Sequence, residues 1–227
     1  LTSFNDLYYG ETGNNKLKPE NARQYNIGLT YSKDVCPFLP YLSATVDAYY
    51  NKITDKIIAY PTKNLAVWSM RNLGSVEIKG IDVTGNVSLQ PCEKLRINFS
   101  GNYTYQRALD VTNSDPASEE GRTYKHQIAY TPRVSGSGQV GIETSWVNLS
   151  YSFLFSGKRY TQGENITENR MESYSDHSIS VGKELTIRKI NTSIHIEVLN
   201  IANNNYEIIK NFPMPGRSVR ATFSIKY

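Results

Sequence analysis

The chain has 227 residues, 39% of them hydrophobic, and a formal net charge of +4 spread along its length without a basic block. No apolar run approaches the roughly 18 residues of a membrane-crossing helix, and no charge concentration points to nucleic acid. A mean hydropathy of −0.49 still leaves room for strands that show lipid only at every second residue, since these average out as polar.

The first strict alternation sets Tyr25, Ile27, Leu29 and Tyr31 against Gln24, Asn26, Gly28 and Thr30. Successive strand side chains take opposite faces, so this predicts a strand with one apolar and one polar side. Beyond the turn KDVCPFLP, Leu42, Ala44, Val46, Ala48 and Tyr50 alternate with Ser43, Thr45, Asp47 and Tyr49. Ile81, Val83, Gly85, Val87 and Leu89 follow, then Leu95, Ile97, Phe99, Gly101, Tyr103 and Tyr105, each set alternating with polar neighbours. A poorer run lies within 124–144. Val147, Leu149, Tyr151, Phe153 and Phe155 come next, then Ile179 and Val181, then Ile194, Ile196 and Val198. In the final run, Val219, Ala221, Phe223, Ile225 and Tyr227 face one way; Ser218, Arg220, Thr222, Ser224 and Lys226 face the other. These runs predict about nine strands in an antiparallel up-and-down meander, an all-β fold.

Connections alternate in length. Short turns fall near Pro37, Pro91-Cys92, Thr144-Ser145 and Arg188-Lys189; long polar loops fall near 59–70, 109–123, 161–172 and 201–214. Short turns at one end and long loops at the other are the pattern of a membrane barrel. Runs such as YYNKITDKI exceed the five or six residues of an ordinary strand. The polar faces carry Ser, Thr, Asn, Gln, Arg and Asp rather than the Lys and Glu of a water-facing sheet, which suits a narrow wet lumen. Tyrosine, at 17 residues against 7 Phe and 2 Trp, suits an interface belt but is also common in soluble β proteins. A chain that stops on Tyr227 at the end of such a strand fits an outer-membrane barrel better than a soluble sandwich. No signal peptide precedes Leu1 and no initiator Met is present, so the chain reads as a mature or excised fragment.

Four ordered segments carry a resemblance. The opening LTSFNDLYYGETGNNKLKPENARQYNIG, the stretch Asn72-Leu73-Gly74-Ser75-Val76-Glu77-Ile78-Lys79-Gly80-Ile81-Asp82, the stretch Leu199-Asn200-Ile201-Ala202-Asn203-Asn204-Asn205-Tyr206-Glu207, and Pro213-Met214-Pro215-Gly216-Arg217-Ser218 before the last strand resemble motifs of TonB-dependent outer-membrane receptors. The resemblance covers essentially all of residues 1–227 and implies the C-terminal part of a transmembrane β-barrel, with the plug domain and the N-terminal barrel strands absent. Such barrels have about 22 strands around a plugged lumen. The resemblance further implies an outer-membrane receptor of a Gram-negative bacterium that takes up a scarce solute, a siderophore-iron complex or cobalamin. Its partners would be the TonB complex (through the absent plug), the lipid bilayer and the barrel-assembly machinery, which would read the terminal strand Val219, Ala221, Phe223, Ile225 and Tyr227. The spacing and loop sizes are similar to cobalamin- and siderophore-type receptors, including the type common in Bacteroidetes. The alternative is a soluble or cell-surface β-sheet module that binds carbohydrate.

Cys36 and Cys92, the only cysteines, fall in short turns on the same side, where an oxidising periplasm would allow a disulfide; two unpaired thiols are the other reading. His126, His177 and His195 lack metal-ligand spacing. Ser135-Gly136-Ser137-Gly138 lacks the Lys of a phosphate loop, and no Ser/His/Asp arrangement or buried carboxylate supports an enzyme or a cofactor. Sequons at Asn102, Asn148 and Asn165 carry no meaning in a bacterial outer membrane. Asp82, Arg96, Glu197 and Arg220 are the lumen charges expected to meet a plug, or else to be solvated lumen polarity.

Overall fold

The computed structural model describes residues 14–61, 68–113, 115, 120–187 and 190–226. In chain order the strands are β1 (Asn21–Lys33), β2 (Tyr41–Pro61), β3 (Trp68–Cys92), β4 (Leu95–Asp110), β5 (Val134–Thr144), β6 (Asn148–Ser156), β7 (Arg159–Tyr160), β8 (Arg170–Met171), β9 (Tyr174–Ile187), β10 (Ile190–Leu199), β11 (Glu207–Ile209), β12 (Phe212–Pro213) and β13 (Ser218–Lys226). Nine of them form one antiparallel sheet in the order β1-β2-β3-β4-β5-β6-β9-β10-β13. Two small hairpins, β7–β8 and β11–β12, stand in the loops. No α-helix occurs among the described residues.

Each long strand follows from its alternation. Residues paired across antiparallel strands share a face, so the register converts sequence pattern into rows. Leu89, Ile97, Ile142, Leu149, Val181, Ile196 and Ala221 form one row across seven strands. Leu29, Val46, Val83 and Tyr103 form another. A one-residue slip would turn every one of these side chains to the other face. Among the described residues nothing covers the apolar face: Leu29 is 74% exposed and Phe223 61%. From Leu95 to Tyr105, at ~3.4 Å per residue and a tilt near 40°, it rises about 25 Å, the height of a barrel's lipid-facing band.

Leu95, Ile97, Phe99, Leu149, Phe153, Val219, Phe223 and Ile225 lie on this face, and Arg96, Asn98, Asn148 and Arg220 on the other, as the alternation predicts. Val147 departs from the pattern. It belongs to the β5–β6 turn, where its N–H donates to the Thr144 hydroxyl at 3.0 Å and its carbonyl accepts from the same hydroxyl at 2.6 Å. The run at 124–144 is regular only from Val134 onward. Tyr227, the turn expected at Arg188-Lys189 and residues 62–67 of the loop expected near 59–70 lie outside the described residues.

Turns 34–40, 93–94 and 145–147 gather at one end of the sheet, and the loop segments 111–113, 120–133, 157–173 and 200–217 at the other. The strands overshoot a membrane: β2 has 21 residues and β3 has 25, against the 9–11 that span it. The excess lies on the loop side, because β2 and β3 stay paired from Tyr41–Ser88 up to Pro61–Trp68. There the inner face turns apolar. Val76 and Ala108 are buried, and Ile128 closes on them with Ile78. The segment 126–128 runs along the top of β4, with Ile128 N–H donating to the Ala108 carbonyl at 3.0 Å and Asp110 N–H to the His126 carbonyl at 2.9 Å.

Candidate functional site

Opposite the apolar face, the sheet presents a wall of hydroxyls and amides. Cross-strand pairing brings them into contact: Asn86 Nδ2 donates to Ser43 Oγ at 3.2 Å, Asn102 Nδ2 to Ser137 Oγ at 2.8 Å, and Asn98 Nδ2 to Glu143 Oε1 at 2.8 Å. The Ser150 and Ser180 hydroxyls meet at 2.6 Å. Thr84, Asn102, Ser137, Gln139, Ser152 and Asp176 line an open hollow of about 470 Å³ in this wall. Three buried oxygens on it, Asn51 Oδ1, Asp82 Oδ1 and Asp176 Oδ1, have no partner among the described residues. The wall offers acceptors and hydroxyls for non-covalent recognition.

Above the wall, the loops are tied by buried polar residues. Asp110, 5% exposed, accepts at Oδ1 from the Thr112 hydroxyl at 2.5 Å and at Oδ2 from the Thr123 hydroxyl at 2.5 Å. Asn165 bridges two loops, accepting from Gln127 N–H at 2.6 Å and donating to the Gln127 carbonyl at 2.9 Å. Arg159, 3% exposed, donates to the carbonyls of Glu172, Glu207 and Ile208 and lies 5.0 Å from the centre of the Tyr174 ring. Burial lowers the Arg159 pKa from its ordinary value, opposed by Tyr174, Tyr130 and Glu207. Tyr174 stacks on Tyr206 at 4.4 Å, and the Tyr206 hydroxyl donates to Asp176 Oδ2 at 2.6 Å. Burial and then the Asp176 carboxylate push the Tyr206 phenol well above its ordinary range, so it remains a donor. Between the two loop hairpins lies a cleft of about 670 Å³, with Arg170, Met171, Tyr174, Tyr206, Lys210 and Pro213 in its walls.

Arg159 ties loop 157–173 to loop 200–217, and a bond to a charged group contributes about 1.5–3 kcal/mol. Arg159→Ala is expected to leave the barrel folded while cleavage of residues 157–173 and 200–217 in limited proteolysis accelerates at least ~10-fold. Arg159→Lys should recover only part, since a point charge cannot serve three carbonyls and an aromatic face together. Unchanged cleavage in Arg159→Ala would show that the loops are held by other contacts.

The residues singled out in the sequence distribute as follows. Arg220 donates to Glu197, its cross-strand partner, and Arg96 stands across from Glu143 and reaches Gln90 at 3.4 Å. Asp82 faces Asp47 across β2–β3. These charges are on the inner wall, but Asp82 stands several strands away from the Glu197–Arg220 pair, so no single cluster forms. Cys36 and Cys92 are both free and exposed, the unpaired one of the two arrangements that their sequence left open. The two turns do adjoin, with Gln90 N–H donating to the Phe38 carbonyl at 2.8 Å. Cys36, however, is committed to its own turn through Leu39, its carbonyl accepting from Leu39 N–H at 2.9 Å, while Cys92 pairs with Leu95 beyond a bulge. His126 accepts from Asn165 N–H, His177 meets the Tyr151 hydroxyl at 2.7 Å, and His195 lies 3.6 Å from Glu197. No metal-binding cluster occurs among the described residues. Asp110, Asn165 and Arg159 were not anticipated. Arg159 follows Ser-Gly-Lys with nothing local to distinguish it from a solvated loop cation.

The family model described as "TonB dependent receptor-like, beta-barrel" matches residues 1–201. The vitamin B12 transporter BtuB of Photobacterium profundum is 23% identical over an alignment of 229 positions, covering 99% of this chain and 33% of that protein. BtuB of Vibrio vulnificus is 33% identical over 81 residues, 36% of this chain and 12% of that protein. Among solved structures, the unliganded ferric citrate transporter FecA superposes with a TM-score of 0.67 at 15% identity, covering 88% of this chain and 30% of that one. The copper transporter OprC gives 0.64 at 14% identity, covering 98% and 34%. This chain thus spans about a third of the length of the relatives that match nearly all of it.

Proposed function

The chain belongs to the TonB-dependent receptor-like β-barrel family, and on that premise we propose that it forms the C-terminal part of the barrel of a transporter for a scarce small molecule. The family is one of Gram-negative outer-membrane receptors and transporters rather than enzymes, and this chain is an outer-membrane β-barrel segment. The observation that carries the reading is the two-faced sheet. An uncovered apolar row crosses seven strands, a hydroxyl and amide wall backs it, and the long loops stand at one end. The same observation weighs against a soluble carbohydrate-binding sheet, which would bury one of those faces or leave both wet.

In the whole polypeptide the inner wall would meet the plug, and the unpartnered oxygens of Asn51, Asp82 and Asp176 supply acceptors for it. Energy would reach that plug through TonB. The relatives named as vitamin B12 transporters put cobalamin first among the solutes to test, with ferric siderophores second.

Cells expressing the full-length receptor should take up labelled cobalamin or a labelled ferric siderophore only when TonB is present, and deletion of the receptor should abolish that uptake. TonB-independent uptake, or a receptor missing from the outer-membrane fraction, would overturn the proposal.

A further inference from the structure

We infer that the outer surface of β1–β4, at its loop end, binds the phosphates of an outer-leaflet lipid headgroup. The register sets Tyr25, Tyr50, Lys79 and Arg107 in one outward row, with Arg23, Lys52 and Glu77 in the row beyond it. Immediately below come the apolar rows Ile27–Ala48–Ile81–Tyr105 and Leu29–Val46–Val83–Tyr103. The cations therefore stand where the lipid-facing band gives way to the loops, and all four are exposed. Adjacent strands are ~4.8 Å apart, which gathers Arg23, Lys52, Lys79 and Arg107 within about 15 Å across the sheet.

Among the described residues of these rows, one carboxylate sits with them. Glu77 pairs with Lys79 at 2.9 Å and accepts from the Tyr50 hydroxyl at 3.1 Å. Tyr50 is held in turn by Tyr25, stacked at 6.2 Å, and by the Lys79 ammonium 5.2 Å from its ring centre. Arg23 and Arg107 make no ion pair with the described residues, and Lys52, which faces Glu77 across β2–β3, stands outside salt-bridge distance of it. Like charges on neighbouring strands repel, and an anion lying across them removes that cost. On the same face at the turn end, β1–β4 carry a single cation, Lys33, beside Leu42, Val87, Leu89 and Leu95, so the charge is a property of one interface. At that height a barrel's outer surface meets headgroups, and phosphate is the headgroup chemistry that complements four exposed cations sharing one carboxylate, with tyrosines beside them.

The test rests on the outer-membrane placement and uses the full-length receptor. Detergent-purified receptor is titrated with purified lipopolysaccharide, with the same glycolipid after enzymatic dephosphorylation, and with inorganic phosphate. Arg23→Gln/Lys52→Gln/Arg107→Gln is expected to bind the phosphorylated glycolipid roughly 100-fold more weakly than wild type, about fivefold for each charge lost. The charge-preserving Arg23→Lys/Lys52→Arg/Arg107→Lys should retain binding, which separates charge from misfolding. Dephosphorylation should remove the difference between wild type and the Gln variant. Equal binding of the phosphorylated glycolipid by both would overturn the inference, as would displacement by inorganic phosphate alone, which marks a free-anion site. Absence of the wild-type receptor from the outer-membrane fraction would instead sink the placement itself.

Discussion

Deleting Phe223 through Tyr227 from the full-length receptor is expected to lower its outer-membrane level by more than about tenfold and to leave it misassembled in the periplasm. The deleted stretch supplies the partners of residues 191–194 on β10: Asn191 pairs with Lys226, Thr192 with Ile225, Ser193 with Ser224 and Ile194 with Phe223. In lipid, each backbone group left without a partner costs several kcal/mol, whereas a tenfold change corresponds to only about 1.4 kcal/mol. We propose that the outward residues Val219, Ala221, Phe223 and Ile225, with Tyr227, also form the strand that the assembly machinery reads. Deleting residues 115–119, the same length taken from the loop between β4 and β5, should leave assembly intact and alter uptake alone. Outer-membrane fractionation and heat-modifiable gel mobility compare the two deletions. Equal assembly would show that the β10–β13 pairing is dispensable and that the last strand has been misassigned.

Phe99→Arg is the second large effect expected. Phe99 stands in the middle of the Leu95–Tyr105 band, on the lipid side, paired with Val87 and Val140. An arginine near the midplane costs about 2–4 kcal/mol, falling toward zero at the interfaces. The adjacent Asn98→Arg places the same charge on the inner wall, beside Glu143, to which Asn98 already donates, and should be tolerated. Urea unfolding of the two variants in the membrane-embedded receptor measures the difference. A Phe99→Arg receptor as stable as Asn98→Arg would remove Phe99 from the lipid face, and one more stable would mean that the two faces have been exchanged.

How far each feature could be read from the sequence depended on how local its cause is. The strands, their number and their two faces were legible because alternation of apolar and polar residues is a property of neighbours: Leu95, Ile97 and Phe99 declare a face before any partner is known. The short turns near Pro37, Pro91-Cys92 and Thr144-Ser145 and the long loops beginning near 109, 161 and 201 could be read for the same reason. The inner charges were placed on the correct wall by parity alone, since Arg96 and Arg220 each sit between two outward residues.

What surrounds those charges could not be read this way. Glu197 meets Arg220 because β10 and β13 pair in a register set by the whole meander. The two cysteine turns adjoin through the Gln90–Phe38 backbone bond, a contact between residues 52 apart in the chain, and both thiols stay free. The loop assembly was the least legible. Arg159 is fixed by carbonyls 13, 48 and 49 residues away, and Ile128 finds Val76 and Ala108 only once β3 and β4 have extended past the membrane. The outward cations of β1–β4 likewise come from four separate strands. The alternation by itself determined which way each strand faces. Only the tertiary structure decided which loop residues are buried and which charges stand together, because those contacts join distant segments whose meeting depends on strand order and register, and no short window of sequence contains either.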